Sequence, residues 1–228
     1  MLFDLDGTLA DSFVAIGAAL NRALIECGLP ERSIAWTRGH VGHGAVELVT
    51  SAVGPADEPA LLAVGTSFAA HYQAIYLEQT PPLPGAGAVL EHVAGRTGGR
   101  VAVVSNKYAA LCRAWLEHWD LARFVAAVAG PETYGARKPD PGAILPVVAG
   151  LGVAPSDALL VGDMDIDVET GRNAGVAVVA VSGGASPREV LERAGALAVL
   201  DELRGLPPWL AANGRGWQEG SRQLTADS

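Results

Sequence analysis

The sequence predicts an α/β fold: a parallel β-sheet in an α/β sandwich, with an all-helical segment inserted after the first strand. Three observations carry this. From about residue 82 onward, short apolar runs rich in Val and Ala alternate with helical stretches. Residues 14 to 81 show helical periodicity and no strand pattern. Several apolar runs end in a carboxylate or a hydroxyl, where an open α/β sheet binds its ligands.

Leu2 and Phe3 start the first strand, which runs into Asp4 and Asp6. Side chains alternate along a strand, so in an extended chain these two acids project to one side. Gly7 then permits a sharp change of direction. Paired acids repel and are costly to desolvate, so they need a cation, a shared proton or distinct roles. Asp-x-Asp-Gly alone reads equally well as an acidic turn in solvent. A strand beginning at Met1 has little length before Asp4, which is expected to lower its stability or to place the true start upstream.

Ser12 opens a helix with Phe13, Ile16, Leu20, Leu24 and Cys27 at helical spacing, closed by Gly28-Leu29-Pro30. Val46, Leu48 and Val49, then Leu61, Leu62, Phe68 and Tyr72, continue the helical pattern to about Gln79. Between them lies a Gly- and His-rich stretch, Trp36-Thr-Arg-Gly-His-Val-Gly-His-Gly44. Pro81-Pro82-Leu83-Pro84-Gly85 reads as a linker. Further strands are expected at 101–104, 124–129, 158–161 and 176–181, with a weaker one at 197–200. Asp140-Pro141 reads as a helix N-cap and first residue, and Pro146 should kink or break that helix. Residues 1–13 and 82–205 are expected to form the α/β core, 14–81 the helical insert, and 206–228 a loose tail with Trp209 docked.

The 228 residues are half hydrophobic and only 18% charged, the composition of a globular chain. No run of about 18 apolar residues occurs, and no basic region leads into an apolar one at the N-terminus. A cytoplasmic protein without membrane attachment is expected. The formal charge of −9 arises from 16 basic and 25 acidic residues, with no Lys/Arg cluster, which argues against nucleic acid as partner. An anionic substrate needs a local metal ion or a few placed cations. Cys27 and Cys112 lie far apart and form no CxxC pair, so both are read as small buried apolar residues.

Three further positions carry chemistry. Ser105, with Asn106 and Lys107 behind it, ends the strand at 101–104; it caps the next helix, binds a phosphoryl oxygen, or does both. Lys138 stands in Arg137-Lys138-Pro139-Asp140-Pro141 ahead of a helix, either as a solvated charge or as a cation for Asp4 and a phosphate. Leu159-Leu-Val-Gly-Asp163-Met-Asp165-Ile-Asp167 discharges three acids into a loop, where capping needs one. Acids from two strand ends suit Mg²⁺, which prefers carboxylate oxygens and retains water.

Phe3-Asp-Leu-Asp-Gly-Thr-Leu-Ala-Asp-Ser12, Ser105, Lys138 and Gly162-Asp163-x-x-x-Asp167 resemble, in order, the four signature elements of the haloacid dehalogenase-like superfamily. The resemblance runs from Met1 to about Leu203 and implies a Rossmann-like core with a small α-helical cap. Within the helical insert, Asp11-Ser-Phe, Ala18-Ala-Leu-Asn-Arg-Ala-Leu, Gly28-Leu-Pro and Val41-Gly-His-Gly-Ala resemble the phosphoglycolate phosphatase family. The resemblance implies Mg²⁺-dependent phosphomonoester hydrolysis, with Asp4 as nucleophile and Asp6 as acid and base. It implies Mg²⁺ on Asp4, Asp163 and the Asp6 backbone carbonyl, and a phosphoryl group held by Ser105, Lys138 and amides around Leu5, Asp6 and Asn106. Asp167 would orient Lys138 or a metal-bound water, and Thr8 would orient Asp6 or the turn. Asp165 is an extra acid expected to face solvent. Gly42 and Gly44 would let backbone approach a small ligand, and Arg38, His40 and His43 would meet the substrate carboxylate, although His43 stands where the family often has Asn.

The implied partner is a small anionic phosphate ester, handled by a monomer or homodimer. Other phosphate esters, such as sugar phosphates, stay open as substrates. A phosphomutase ranks lower, because Gly162-Asp163 replaces the usual Glu-Asp. Dehalogenases do not need Asp6, and phosphonate-cleaving relatives carry a small residue there. A non-catalytic binding module fits poorly, since every expected acid is present. A response-regulator receiver fits poorly too, because of the helical insert and the second acid.

Overall fold

The computed structural model of the protein describes residues 1–55 and 58–213. Six short strands, β1 (Leu2–Phe3), β2 (Ala102–Val104), β3 (Ala127–Ala129), β4 (Leu159–Gly162), β5 (Ala177–Val181) and β6 (Ala198–Leu200), form one sheet in the order β3-β2-β1-β4-β5-β6. Every pairing is parallel, and Leu2 lies beside both Ala102 and Leu160. Alternation along the strands divides the apolar side chains between two cores. Phe3, Val103, Leu159, Val161 and Val179 face one, and Leu2, Val104, Leu160, Val178 and Ala180 face the other. Burial on both faces is why these strands read as continuous apolar runs.

Helices α1 (Phe13–Glu26), α2 (Ile34–Arg38), α3 (Ala45–Val53) and α4 (Glu58–Gln79) follow β1, with no strand among the described residues between them. α1 packs chiefly on α4. Its buried positions Phe13, Ile16, Leu20 and Leu24 make one stripe, widened by Ala15, Ala19 and Ala23. The stripe ends at Leu24. Cys27, expected to be buried, is therefore exposed at the helix end, whereas Cys112 is buried.

α5 (Ala86–Thr97) and α6 (Ala109–His118) flank β2, and the Trp115 indole N–H on α6 donates to the Thr80 carbonyl at 2.7 Å. That buried bond ties the linker to the sheet layer. The strand expected at 124–129 is shorter, because residues Ala122–Phe124 form a 3₁₀ turn. After α7 (Pro131–Tyr134), the stretch from Asp140 splits as Pro146 requires: a 3₁₀ turn at Pro141–Ala143, then α8 (Leu145–Gly150) with Pro146 in its first turn. The Asp140 carboxylate accepts from the Gly142 N–H at 2.7 Å, so the expected cap forms. α9 (Asp165–Ala174) and α10 (Arg188–Ala194) connect β4 to β6.

The tail expected from residue 206 is not loose over its first part. Leu206–Asn213 forms α11, with Leu206 and Leu210 buried and Trp209 packed on the core. Pro207 and Pro208 looked like breakers, but they fall in the first helical turn, where a missing N–H breaks no bond. Residues 214–228 of the expected tail lie outside the described residues. Among the described residues, no helix is long and apolar enough to cross a membrane.

Because Leu210 is 2% exposed, Leu210→Ala is expected to cost about 2–4 kcal/mol of unfolding free energy in a denaturant titration. A change below about 0.5 kcal/mol would mean that α11 does not dock.

Candidate active site

The strand order reverses direction between β1 and β4, and ligands of open α/β sheets bind at such a point, beyond the carboxyl ends of the strands. Asp4 follows β1 and Asp163 follows β4. Asp4, Asp163 and Asp167 are each buried, and one carboxylate oxygen from each lies within 4.8 Å of the others. Asp4 and Asp6 both line a cavity of about 190 Å³, together with Ser105, Asn106, Lys107 and Lys138.

Lys138 sits inside the acid cluster. Its ammonium donates to Asp4 Oδ1 and Asp167 Oδ1, each at 2.6 Å, and its side chain is 3% exposed. Asn106 fixes the backbone that delivers it: Oδ1 accepts the Lys138 N–H at 2.8 Å, and Nδ2 donates to the Lys138 carbonyl at 3.1 Å. Nδ2 also donates to the Gly42 carbonyl at 2.9 Å, so the Asn106 side chain is a bracket between two loops rather than a free substrate contact. Asp167 meets its expected partner in Lys138, and its Oδ2 accepts the Met164 N–H at the start of α9 at 3.1 Å.

Asp163 is held from two sides. Its Oδ1 accepts the Thr8 hydroxyl at 2.8 Å and its Oδ2 accepts the Ala185 N–H at 2.7 Å. The Thr8 side chain thus orients Asp163, where the sequence suggested Asp6 or the turn. A Cβ on Gly184 would come within 2.1 Å of the Asp163 carboxylate, and one on Gly7 within 2.3 Å, so both positions require glycine. Asp165 is exposed, as expected.

Three buried acids share one buried lysine, so negative charge is in excess. Burial raises the Asp4 pKa; Lys138 pulls it down, Asp167 pushes it up, and the balance is about 6. Burial, then the charges of Asp4 and Asp167, hold the Asp163 carboxyl well above the usual carboxylate range despite its two hydrogen bonds. Burial works against the Lys138 charge, but Asp167 and Asp4 prevail and raise its pKa. The cluster therefore suits a divalent cation: its donors are hard oxygens, and its excess charge needs a counter-charge.

Ser105 closes β2 but does not cap α6, which begins later, after Tyr108. Its hydroxyl oxygen accepts the Lys107 N–H at 3.3 Å, leaving the hydroxyl hydrogen available to another acceptor. Lys107 is the site residue the sequence reading passed over. Its ammonium donates to both Asp6 oxygens, at 2.7 and 2.6 Å, and lies 5.0 Å from the Tyr72 ring centre. Its position two residues beyond Ser105 was the available signal.

Of the three insert residues expected at the substrate, the cavity includes His43 alone. Arg38 donates to the carbonyls of Gly183, at 2.6 Å, and Gly184, at 3.2 Å, and lies over the Phe13 ring. His40 stacks on Trp36, with Nδ1 2.8 Å from the Trp36 carbonyl oxygen. Gly42, with φ of 114°, is needed because that backbone conformation strains any L side chain, and its open side is filled by the Met164 side chain. Its close approach is to the chain's own side chain.

The sequence and the fold have known counterparts. Residues 1–181 match the family model of haloacid dehalogenase-like hydrolases. A phosphoglycolate phosphatase from Rhodospirillum rubrum is 40% identical over 218 residues, covering 92% of this chain and 90% of that protein. One from Pseudomonas putida is 31% identical, covering 100% of this chain and 85% of that protein. Among solved structures, a protein from Haemophilus somnus described as a predicted phosphoglycolate phosphatase superposes with a TM-score of 0.84 at 23% identity, covering 91% of this chain and 95% of that one. CbbY from Rhodobacter sphaeroides, in complex with phosphate, gives 0.73 at 25% identity, covering 90% and 94%. The chain belongs to the haloacid dehalogenase-like hydrolase family. Within that family it is an enzyme of the phosphoglycolate phosphatase-like kind.

The raised Asp4 pKa fixes a pH signature for the metal-free protein. Stability from a neutral Asp4 is fully present below the unfolded value near 3.8 and is lost as pH rises through about 6. Asp4→Asn is therefore expected to raise Tm at pH 8 in the presence of a chelator, by the equivalent of about 1–3 kcal/mol. The advantage should shrink as pH falls from 6 toward 4. Thermal melts across that range check it; a gap that ignores pH would contradict the buried-acid reading.

Proposed function

We propose that the protein is a Mg²⁺-dependent phosphomonoesterase that works through an aspartyl-phosphate on Asp4, with 2-phosphoglycolate as its substrate. The observation that carries this reading is the buried cluster of Asp4, Asp163 and Asp167 around Lys138, opening beside Asp6 into one cavity. Its volume of about 190 Å³ lies below the roughly 300–1,000 Å³ of pockets for drug-sized ligands, which favours a small ester. The relatives that are phosphoglycolate phosphatases favour this one.

Asp4 and Asp163 would hold the ion, with the Asp6 carbonyl by family resemblance. When bound, Mg²⁺ supplies positive charge that lets an anionic nucleophile meet an anionic phosphoryl group. The chain's own residues do the rest. Lys138 fixes the Asp4 carboxylate, leaving its second oxygen to attack phosphorus. The ester P–O bond breaks, and Asp6 gives its proton to the departing glycolate oxygen. Ser105 donates its free hydroxyl hydrogen to a phosphoryl oxygen. Asp6, now ionised, takes a proton from the water that attacks the acyl phosphate. Phosphate leaves, and Asp4 is restored. The helices of residues 14–81 act in this reading as the cap that closes over the ester, with His43 on the cavity side.

Steady-state assays on a panel of small phosphate esters with Mg²⁺ test the reading. The highest kcat/KM is expected for 2-phosphoglycolate, with a loss of roughly a thousandfold or more in kcat for Asp4→Asn. Asp6→Asn should accumulate phosphorylated enzyme, visible by intact mass. Undiminished turnover by Asp4→Asn would refute the nucleophile, and a flat or sugar-phosphate profile would discard the substrate.

A further inference from the structure

Asp6 is the acid of the proposed reaction, yet it is not free to act as the structure stands. Both of its oxygens accept hydrogen bonds from one ammonium, that of Lys107. Paired in this way Asp6 is held as a carboxylate, without the proton that the leaving oxygen needs. Before Asp6 can serve the ester oxygen, Lys107 must release at least one of these bonds.

Lys107 cannot release it into nothing. Its side chain is 9% exposed. Tyr72 covers it from α4, and Cys112 of α6 lies nearby, with its thiol directed to the Lys107 carbonyl at 3.8 Å. Burial opposes the charge on Lys107, and the Asp6 carboxylate more than offsets it. A buried ammonium stripped of its carboxylate loses the interaction that keeps it charged in that place. The exchange therefore needs a second anion, brought in by the substrate.

The site also says where on the substrate that anion must lie. In the proposed reaction Asp4, Ser105 and Lys138 surround the phosphoryl group, and Asp6 serves the bridging oxygen. Lys107 touches Asp6, so it stands one step further out, beside the first atoms of the leaving group. In 2-phosphoglycolate a single CH₂ separates the bridging oxygen from a carboxylate, which sets that carboxylate within the reach of Lys107. Of the other basic side chains on the cavity wall, Lys138 is taken by Asp4 and Asp167, while His43 and Arg137 are exposed, and exposed charges discriminate weakly.

We propose that Lys107 is the residue that selects esters carrying a carboxylate next to the phosphate, through an exchange of partners. In the resting site it is paired with the Asp6 carboxylate; in the substrate complex it takes the substrate carboxylate, and the released Asp6 carboxylate takes a proton from water, which it then passes to the leaving oxygen. Recognition of the substrate and release of the acid are then one event. The assignment rests on the phosphatase reading above and adds to it the group that reads the carboxylate.

The test compares 2-phosphoglycolate with ethyl phosphate, its counterpart without the carboxylate, on the full-length Mg²⁺-loaded enzyme. Wild type, Lys107→Met and Lys107→Arg are each measured for kcat and KM, with folding checked by circular dichroism. Differences in the intrinsic reactivity of the two esters cancel when variants are compared by their ratio of kcat/KM. Lys107→Met is expected to cut the preference for 2-phosphoglycolate on the order of tenfold to a hundredfold, the range of a charge-assisted hydrogen bond. Lys107→Arg should restore part of it, because the charge is kept. Equal losses on both esters would mean that Lys107 only supports the site, and an intact preference in Lys107→Met would mean that another group reads the carboxylate. Either result overturns the assignment while leaving the phosphatase reading in place. A wild type that turns over both esters without preference would remove the substrate reading and this assignment with it. No turnover of either ester would remove the phosphatase reading itself.

Discussion

Excess negative charge in a dry place is the constraint on which the rest of the structure depends. Asp4, Asp163 and Asp167 are buried together with Lys138 as their shared partner. Charges withdrawn from water are tolerated only when paired and hydrogen-bonded. The surrounding chain supplies those bonds from widely separated places: Thr8 and Ala185 to Asp163, Met164 to Asp167, and Asn106 to the backbone of Lys138. Glycines at 7, 162 and 184 clear the space, since a Cβ at each would collide with Asp163 or Asp167. A buried cluster that accepts this cost is the candidate functional site of the fold.

The helical insert is joined to this centre by side-chain bonds to backbone carbonyls, one set of them from Arg38, which was expected at the substrate. Arg38 grips the carbonyls of Gly183 and Gly184, in the loop whose next residue gives its N–H to Asp163. Asn106 links the Gly42 carbonyl to both sides of the Lys138 peptide. These bonds connect the position of the insert to the geometry of the acids. The apolar wall that faces the cavity from the insert, with Ile16, Leu48, Phe68 and Tyr72, makes the charges opposite it stronger by excluding water.

Much of the sheet was legible because the four inner strands, β1, β2, β4 and β5, are buried on both faces, and buried parallel strands write themselves as unbroken Val, Ala and Leu runs. The acids were legible because they stand where those runs stop. What escaped depends on contacts distant in sequence. Arg38 and His40 looked like ligands for a substrate because they are charged or titratable beside glycines, but nothing local announces Gly183, 145 residues away, as a partner for Arg38. Thr8 was expected to orient Asp6 or the turn, while the partner of its hydroxyl is 155 residues away. Lys107 looks like any lysine after a strand until the fold lays Asp6 against it. Leu206–Asn213 was misread for a different reason, since two prolines suppress a helix in its interior but not in its first turn.

The central claim is that the buried acids form a site for a divalent cation, and calorimetric and thermal titration with Mg²⁺ tests it most directly. The wild type should bind Mg²⁺ and gain stability by about 2.7 kcal/mol when the ion is at a hundred times its dissociation constant. Asp163→Asn should abolish binding and stabilisation, while Asp165→Asn, altering the exposed acid two residues on, should keep both. Equal Mg²⁺ binding by wild type and a folded Asp163→Asn would contradict the account, as would loss of binding in Asp165→Asn.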